Sequence, residues 1–323
     1  RMGATVTGYG LPAAPQGIYA ATGLARHITP VMADIRHDAV MRECLSLMRP
    51  DVVFHLAQQS RPTRAHTNPV EAFDVNVLGT VKLMEALRRA RSVHGFVAVT
   101  AADVYENSGT PQTETARLGA RDVCGASMVA VEAAAAAFRE NLGPDHRLRV
   151  ATVRSGHPVG SGDAGENRLV PEALAAFASG HPLQVLHPEA TRPWLHVLDA
   201  LCGPILVAER MAAGDPDAAS AWNFGPCEEA HFPVNMVADR LAEIWDADPA
   251  PDMPGAWRVA DDAPPAPAAI MLDSDKARHL LGWRERKGLD EGVQEAVAWH
   301  KAAQRGEDMA AIAADLLDAY SAS

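Results

Sequence analysis

The sequence lacks an excess of positive charge, paired cysteines and a long apolar run, and each absence excludes a class of protein. Its 29 Lys and Arg residues stand against 41 Asp and Glu residues, which gives a formal net charge of -12. This charge argues against binding to nucleic acid or to an anionic membrane surface. The four cysteines, Cys44, Cys124, Cys202 and Cys227, show no CxxC pair and no zinc spacing, as expected in a reducing cytosol. We see no signal peptide or spanning segment, so a soluble cytoplasmic protein is predicted.

A glycine loop and a metal-binding motif are also missing. A dinucleotide-binding fold opens with a strand, a glycine turn and a helix whose N-terminus holds the pyrophosphate, but no GxGxxG lies near the start of this chain. Loss of that first strand would leave two unpaired edges in the middle of the sheet. We expect roughly thirty residues to precede Arg1, the length of one such unit; the alternative is that something unusual fills the gap. The 13 histidines include no HExxH, so we predict no metal.

Short apolar runs that alternate with helical patterns are what the sequence does contain, and they predict an α/β fold with a doubly wound parallel sheet. The predicted strands are 4–10, 51–57, 95–100, 148–156 and 220–226, and the predicted helices are 38–48, 69–91, 122–142, 236–246 and 289–304. After residue 156 the loops become rich in Gly and Pro. We therefore predict a larger domain over 1–156, which includes the strand 220–226, and a smaller C-terminal domain mainly over 157–323. The Pro-rich stretch 249–269 is predicted to be a surface loop.

A resemblance to a known family extends in order along nearly the whole chain. The motifs that carry it are VTGYGLP, ADIRH, PDVVFHLAQQS, NPVEAFDVNVLGT, VTAADVYEN, RLVPEAL, RPWLHVLDAL, AWNFGP and LDSDKARHLLGW. With these motifs the chain resembles the CDP-glucose 4,6-dehydratases, which are extended short-chain dehydrogenases/reductases (SDRs). The resemblance implies a Rossmann-like domain that binds NAD, a smaller domain for the nucleotide sugar, and a homodimer built on a four-helix bundle.

Two catalytic motifs of that family are altered in this sequence. The family's D-P-Y-S-A-S-K runs here from Asp122 to Met128, with Cys124 at the tyrosine and Met128 at the lysine, and its T-S-D-K runs from Thr100 to Asp103, with alanine at the acid. In the family the tyrosine is the base for hydride abstraction, and the lysine lowers its pKa. A thiol titrates near 8.5 and a thioether carries no charge. General acids and bases each contribute roughly 10² to 10⁴ in rate, so we expect the dehydratase reaction to be lost.

The candidate catalytic residues that remain are Asp103, Cys124, His157 and Thr100. The first three fall at strand ends or helix starts around one predicted cleft. His157 stands at a family asparagine that the resemblance implies contacts the substrate, and the alternative is a histidine tolerated in an inactive cleft. Cys124 is a possible nucleophile, although buried cysteines more often behave as small hydrophobes. Asp103 is either a general base or a solvated carboxylate.

The resemblance also implies residues on the cofactor side of the cleft. Asp34 and Ile35 fall where the family meets adenine, and Leu56 and Ala57 line its cofactor cleft. These matches are what the fold alone would preserve, so NAD is either absent or vestigial. His55 and His196, which are also family residues, are predicted to be hydrogen-bonded core histidines.

Two arginines match family positions that face the nucleotide diphosphate. They are Arg168 in NRLVP and Arg192 in RPWLH. A planar guanidinium pairs with phosphate oxygens at two points, so both are candidate substrate-binding residues. Packing on Trp194 could equally hold Arg192.

The leading functional hypothesis is a repurposed enzyme of specialised, natural-product metabolism that keeps the cleft and performs non-redox chemistry such as cyclisation, elimination or isomerisation. Correct placement of reactants alone supplies roughly 7 to 11 kcal/mol of barrier reduction. The second hypothesis is a non-catalytic partner that binds a nucleotide sugar or a homologous subunit. The third is a residual NAD-dependent nucleotide-sugar 4,6-dehydratase.

Overall fold

The computed structural model describes residues 3–106, 109–143, 145–245, 256–261 and 266–322, and these ranges form an α/β structure. Its strands are β1 (Thr7–Gly10), β2 (Thr29–Met32), β3 (Val52–His55), β4 (Gly95–Ala101), β5 (Arg149–Ser155), β6 (His157–Val159), β7 (Leu183–Val185), β8 (Thr191–Arg192), β9 (Trp194–His196), β10 (Ala221–Phe224), β11 (Phe232–Pro233) and β12 (Trp257–Val259). Its helices are α1 (Ile18–Ala21), α2 (Asp38–Met48), α3 (Pro62–Thr67), α4 (Pro69–Phe73), α5 (Gly79–Arg89), α6 (Val123–Leu142), α7 (Leu169–Ala178), α8 (Val197–Ala212), α9 (Val234–Trp245), α10 (Asp275–Leu280), α11 (Leu289–Gln304) and α12 (Met309–Ala322).

The predicted helices 38–48 and 122–142 are confirmed as α2 and α6. The predicted helix 69–91 is α4 and α5 joined by a π-helical turn, Asp74–Leu78. At the start of α6 the Asp122 carboxylate accepts a hydrogen bond from the Gly125 N–H (3.0 Å), which satisfies one of the free donors of the first turn. No helix within the described ranges combines the length and the apolar character that crossing a bilayer requires.

The parallel strands of the N-terminal part form two separate sheets. β10, β5, β4 and β3 are hydrogen-bonded in that order, whereas β1 pairs with β2. Tyr9 of β1 and Val53 of β3 pack against the same apolar cluster, so both sheets cover one helical layer. Within the described residues, one edge of β1 and one edge of β3 have no strand partner. The two sheets are thus separate in the described part of the chain, and the expectation of residues before Arg1 stays a prediction.

Two apolar clusters cover the faces of the four-stranded sheet. On one face, side chains of α2, α5 and α6, including Met41, Leu87 and Met128, pack on Phe96 of β4. On the opposite face, residues of α8 such as Val207 pack against β4, β5 and β10. The sheet therefore lies between two helical layers, as expected for a doubly wound fold.

A third apolar cluster forms the core of a second lobe. It is built from α7, α9 and α11 together with β7 and β9, while β10 returns to pair with β5. The assignment of 1–156 and 157–323 to two domains stays a prediction.

The prediction of a surface loop over 249–269 is wrong for residues 257–259. Trp257–Val259 forms β12, which pairs in parallel with β7, and the Trp257 indole N–H donates to the Asp239 carboxylate (2.6 Å). A Trp-Arg-Val triplet has enough β-forming character to join an edge strand. Residues 249–255 and 262–265 lie outside the described residues.

A buried ion pair joins α6 to β5 beneath the carboxyl edge of the sheet. Arg154 Nη2 lies 2.9 Å from the Glu132 carboxylate, and only 5% and 3% of the two side chains are accessible. Glu132 also accepts hydrogen bonds from the hydroxyls of Thr152 (2.8 Å) and Thr100 (2.7 Å). Arg154 Nη1 donates to the Tyr105 hydroxyl (2.7 Å). A buried charge pair is tolerated only when such additional hydrogen bonds satisfy it.

Candidate functional site

Asp103 and His157 meet at the carboxyl ends of two neighbouring strands. Asp103 lies in the single helical turn after β4, and His157 begins β6, two residues after β5 ends. His157 Nε2 is 3.3 Å from an Asp103 carboxylate oxygen, and 30% and 38% of the two side chains are accessible. Ligands of parallel sheets usually bind at this edge. The structure thus brings two of the candidate residues together in an accessible position.

The position of His157 is fixed by the turn between β5 and β6. A Cβ on Gly156 would lie 2.4 Å from the carbonyl oxygen of Pro193, so this close approach requires glycine. β6 then pairs with β9, which places His157 opposite Trp194. The two rings pack edge to face, with centroids 5.8 Å apart. The imidazole is therefore held between a carboxylate and an aromatic ring.

Arg192 adds a buried positive charge near the Asp103–His157 pair. Its Nη1 donates to the carbonyl oxygens of Thr191 (2.8 Å) and Pro267 (3.0 Å), so main-chain groups hold the guanidinium. Desolvation raises the pKa of Asp103, but the hydrogen bond and charge of His157 and the charge of Arg192 outweigh this effect and lower the pKa overall. Asp103 is therefore ionised at neutral pH.

Cys124 lies beside the same carboxylate in the first turn of α6. Its thiol is 3.9 Å from the carbonyl oxygen of Gln59. Burial raises the pKa of Cys124 to about 11, and the negative charges of Asp122 and Asp103 add to the shift. Met128, one turn further along, is buried in the core. Because thiolates and not thiols are nucleophiles, Cys124 lacks the ionisation that nucleophilic catalysis at pH 7 would need.

We expect Cys124 to react slowly with iodoacetamide at pH 7.5, after the exposed Cys227. Its alkylation rate should rise about tenfold per pH unit toward pH 10, because the thiolate fraction controls the rate. Peptide mass spectrometry on a time course measures both sites. Asp103→Asn, which removes one of the negative charges that raise the Cys124 pKa, should speed the reaction. Faster modification of Cys124 than of Cys227 at pH 7.5 would contradict this assignment.

Thr100 lies in the core and not at the accessible pair. Its hydroxyl donates to Glu132 (2.7 Å) and to the carbonyl oxygen of Val153 (3.3 Å). The hydroxyl is therefore committed to the buried ion-pair network. Glu132 was not among the predicted site residues, although its position one turn after Met128 on α6 places a carboxylate on the face that packs on the sheet.

Arg168 immediately precedes α7, and more than half of its side chain is accessible. Its Nη1 lies 3.0 Å from the Asp163 carboxylate. The neighbouring Asn167 has a positive φ of 59°, and its side-chain oxygen accepts a hydrogen bond from the Thr63 hydroxyl (2.7 Å). The loop before α7 is thus tied to α3, and the role of Arg168 toward a diphosphate stays a prediction.

Three of the four residues on the predicted cofactor side already contact other residues of the protein. Both carboxylate oxygens of Asp34 accept hydrogen bonds from the Arg36 guanidinium, at 3.0 and 2.6 Å. These bonds, partly opposed by desolvation, lower the pKa of Asp34 to about 2. Ile35 is buried in the core cluster, where Ala57 also packs, and Leu56 is largely exposed.

The Asp34–Arg36 pair should stabilise the fold in a pH-dependent way. A carboxylate with a depressed folded pKa contributes stability above its unfolded pKa, about 3.9, and this contribution is lost as pH falls through the folded value of about 2. The stability advantage of the wild type over Asp34→Asn should therefore be full above pH 4 and shrink below it. Urea unfolding between pH 5 and pH 3 measures the difference. Arg36→Gln should behave like Asp34→Asn; an advantage that grows on acidification would refute the pairing.

Two histidines of the family motifs are confirmed as hydrogen-bonded core residues. His55 Nε2 lies 2.8 Å from the Thr80 hydroxyl, and burial lowers the His55 pKa to about 4. His196 is also buried; its Nε2 lies 3.0 Å from Glu295, and its Nδ1 accepts a hydrogen bond from the Leu198 N–H. Neither ring is available to a ligand.

With this fold and site, the chain matches a known family. The model of the NAD dependent epimerase/dehydratase family covers residues 13–225. The chain belongs to this family, whose members share the Rossmann-like α/β fold of the extended SDRs.

Individual relatives agree with this assignment. The chain is 32% identical over 320 residues to a CDP-glucose 4,6-dehydratase of Salmonella typhimurium, covering 95% of this chain and 87% of the relative. It is 27% identical to a dTDP-glucose 4,6-dehydratase of Xanthomonas campestris, over 86% of this chain and 80% of the relative. Among solved structures, DesIV, a dTDP-glucose 4,6-dehydratase of Streptomyces venezuelae determined with NAD and TYD bound, superposes with a TM-score of 0.76 at 22% identity, covering 88% of this chain and 83% of DesIV.

The family description names NAD, but the described residues do not fit this group. At the two positions where the resemblance places the family's tyrosine and lysine, the structure has the Cys124 thiol, with a pKa of about 11, and the buried, uncharged Met128. On the predicted adenine side, both oxygens of Asp34 accept hydrogen bonds from Arg36. A neutral thiol and a thioether supply neither a base nor a cation at positions 124 and 128.

Proposed function

We propose that this protein is a cytosolic nucleotide-sugar enzyme of specialised metabolism that catalyses a non-redox proton transfer, as in an isomerase or a lyase. The observation that carries the proposal is the accessible Asp103–His157 pair, with Nε2 of the imidazole 3.3 Å from the carboxylate. A carboxylate that orients an imidazole is a recurring arrangement for general acid and base catalysis. Cyclisation is compatible with the same pair, since it also requires proton transfer.

In this proposal His157 is the catalytic residue and Asp103 is its positioning residue. With Nε2 directed at Asp103, the other ring nitrogen, Nδ1, is the one that faces away and can take a proton. The ionised Asp103 then faces the positive charge that develops on the ring during the step, and opposite charges at this distance attract each other. Trp194 limits rotation of the ring. Cys124 stays a neutral thiol and contributes to the shape of the site.

Arg192 is the residue we propose for the anionic part of the substrate. Its Nη1 is fixed by carbonyl oxygens, which leaves the other N–H groups of the planar guanidinium for phosphate oxygens. The relatives named above act on nucleotide sugars, which carry a diphosphate. Arg168 would bind the same group if its pairing with Asp163 opens, so Asp163→Asn should not weaken nucleotide binding whereas Arg192→Met should.

The test is a comparison of products in cells that make this protein. Asp103→Ala with His157→Ala should change the nucleotide-sugar product profile as deletion of the whole gene does. His181→Gln, in an exposed loop before β7, is the matched control and should leave the profile unchanged. Chromatography with mass spectrometry of cell extracts reads out all strains. An unchanged profile in the double variant, with the protein folded and expressed, refutes the proposal.

A second candidate function is that of a non-catalytic partner of a homologous subunit. Exposed apolar side chains on or beside β1 and β3 favour it: Val6, Phe54 and Leu56. Such residues are candidates for contact with another polypeptide. In this case the Asp103 and His157 variants would keep the product profile, while charged substitution of Phe54 would change it.

We also propose a homodimer. Val70 and Phe73 of α4 and Leu78 of the π-helical turn are exposed apolar residues of the helical segment 69–89. Exposed apolar side chains on a surface helix are candidates for a protein interface. Analytical ultracentrifugation should give twice the chain mass, and Val70→Glu should shift the protein to the monomer.

A further inference from the structure

We propose, building on the function above, that the substrate reaches this protein already oxidised. It is a nucleoside-diphosphate sugar with a ketone next to the carbon that loses a proton, and a hydride-transferring dehydratase must supply it. Two parts of the site differ in the chemistry that they can support. The site keeps an acid–base pair, Asp103 and His157, whereas the residues at the hydride-transfer positions, Cys124 and Met128, have neither a usable base nor a cation.

Proton transfer by an imidazole places a strict demand on the substrate. A sugar carbon that bears only a hydroxyl and hydrogen holds its proton far too tightly for a base of this strength. A carbon next to a carbonyl is different, because the electron pair left by the proton moves onto the carbonyl oxygen as an enolate. Enzymes with this task pair a weak base with groups that stabilise the oxyanion. The ketone must therefore exist before the substrate binds.

The step balances without an oxidant. The C–H bond breaks, its proton moves to His157 Nδ1, and its electron pair forms the enolate. Return of a proton from the imidazolium to the same face of the same carbon gives back the ketone. Return to the former carbonyl carbon, with the proton of the neighbouring hydroxyl passing to the former carbonyl oxygen, gives an isomeric ketone. No electron leaves the substrate, so the step needs no oxidant.

The surroundings of the pair suit such a substrate. Asp103 is ionised and beside His157, so the imidazolium formed in the step is stabilised. The guanidinium of Arg192 lies close enough to lower the Asp103 pKa, and main-chain carbonyl groups hold it as a fixed positive charge for a diphosphate or an enolate oxygen. The Trp194 ring against His157 gives an apolar wall, which strengthens these charge interactions by excluding water.

The test is hydrogen–deuterium exchange at carbon, followed by proton NMR in D₂O. The probes are CDP-glucose and CDP-4-keto-6-deoxyglucose, the latter made beforehand with an authentic CDP-glucose 4,6-dehydratase. The purified protein should accelerate loss of the signal next to the ketone at least about 100-fold over buffer. CDP-glucose should show no exchange. His157→Gln should remove the acceleration, and the exposed His181→Gln should keep it.

The outcomes separate this inference from the proposed function. Exchange of CDP-4-keto-6-deoxyglucose without exchange of CDP-glucose supports the inference. Exchange or conversion of CDP-glucose itself overturns it, because prior oxidation is then unnecessary. Exchange with neither probe also overturns it, and the product profile of the Asp103 and His157 double variant then decides independently whether the proposed function survives.

Discussion

His157→Gln should lower the rate of the wild-type conversion by about 10² to 10⁴, the usual contribution of a general base. Glutamine keeps a polar side chain of similar length but cannot take up a proton. The effect should fall on kcat, since binding depends on Arg192 and the rest of the cleft. Initial rates on nucleotide-sugar substrates, separated by anion-exchange chromatography, measure it.

Asp103→Asn serves as the companion variant and should cost less than His157→Gln. It keeps a hydrogen-bonding group beside the ring but removes the negative charge that attracts the protonated ring during the step. Circular dichroism should show unchanged melting for both variants, because both side chains are accessible. A loss of less than about fivefold in His157→Gln would exclude a general-base role.

Glu132→Ala should destabilise the protein by about 3 to 5 kcal/mol, the cost of leaving one member of a buried ion pair without its partner. Arg154 would keep its hydrogen bond to the Tyr105 hydroxyl but would lose the carboxylate that balances its charge. The hydroxyls of Thr100 and Thr152 would lose the same acceptor. Urea unfolding at neutral pH, followed by tryptophan fluorescence, gives the free energy of unfolding.

Glu140→Ala is the matched control for this experiment. Glu140 lies on the same helix, α6, but is exposed, and substitutions at such positions usually change stability by no more than about 0.5 kcal/mol. If both substitutions changed the free energy of unfolding by the same amount, the Glu132–Arg154 pair would contribute nothing measurable to stability.

Much of the fold could be predicted because its signals are local. Apolar runs of the right length predicted β3, β4, β5 and β10, and helical periodicity predicted α2 and α6. β2 was missed, because Thr29–Met32 contains Pro30, which cannot donate to a sheet. Its pairing with β1 is a tertiary contact that no short pattern encodes.

The candidate site could be predicted only in part. Position at strand ends was enough to group Asp103 with His157, because the carboxyl ends of parallel strands converge. The buried position of the Thr100 hydroxyl was not predictable in the same way, because it depends on a hydrogen bond to Glu132, which lies 32 residues further along the chain. The occupation of Asp34 by Arg36 depends likewise on side-chain geometry, although the two residues are close in sequence.

The separation of β1–β2 from the four-stranded sheet has a consequence for how the molecule loses structure. Cooperativity in a sheet is transmitted through its ladder of main-chain hydrogen bonds, and no ladder within the described residues connects these two parts. The β1–β2 ribbon is therefore joined to the rest by side-chain packing such as that of Tyr9. Within the described residues, loss of that packing would separate the two sheets without breaking a ladder hydrogen bond between them.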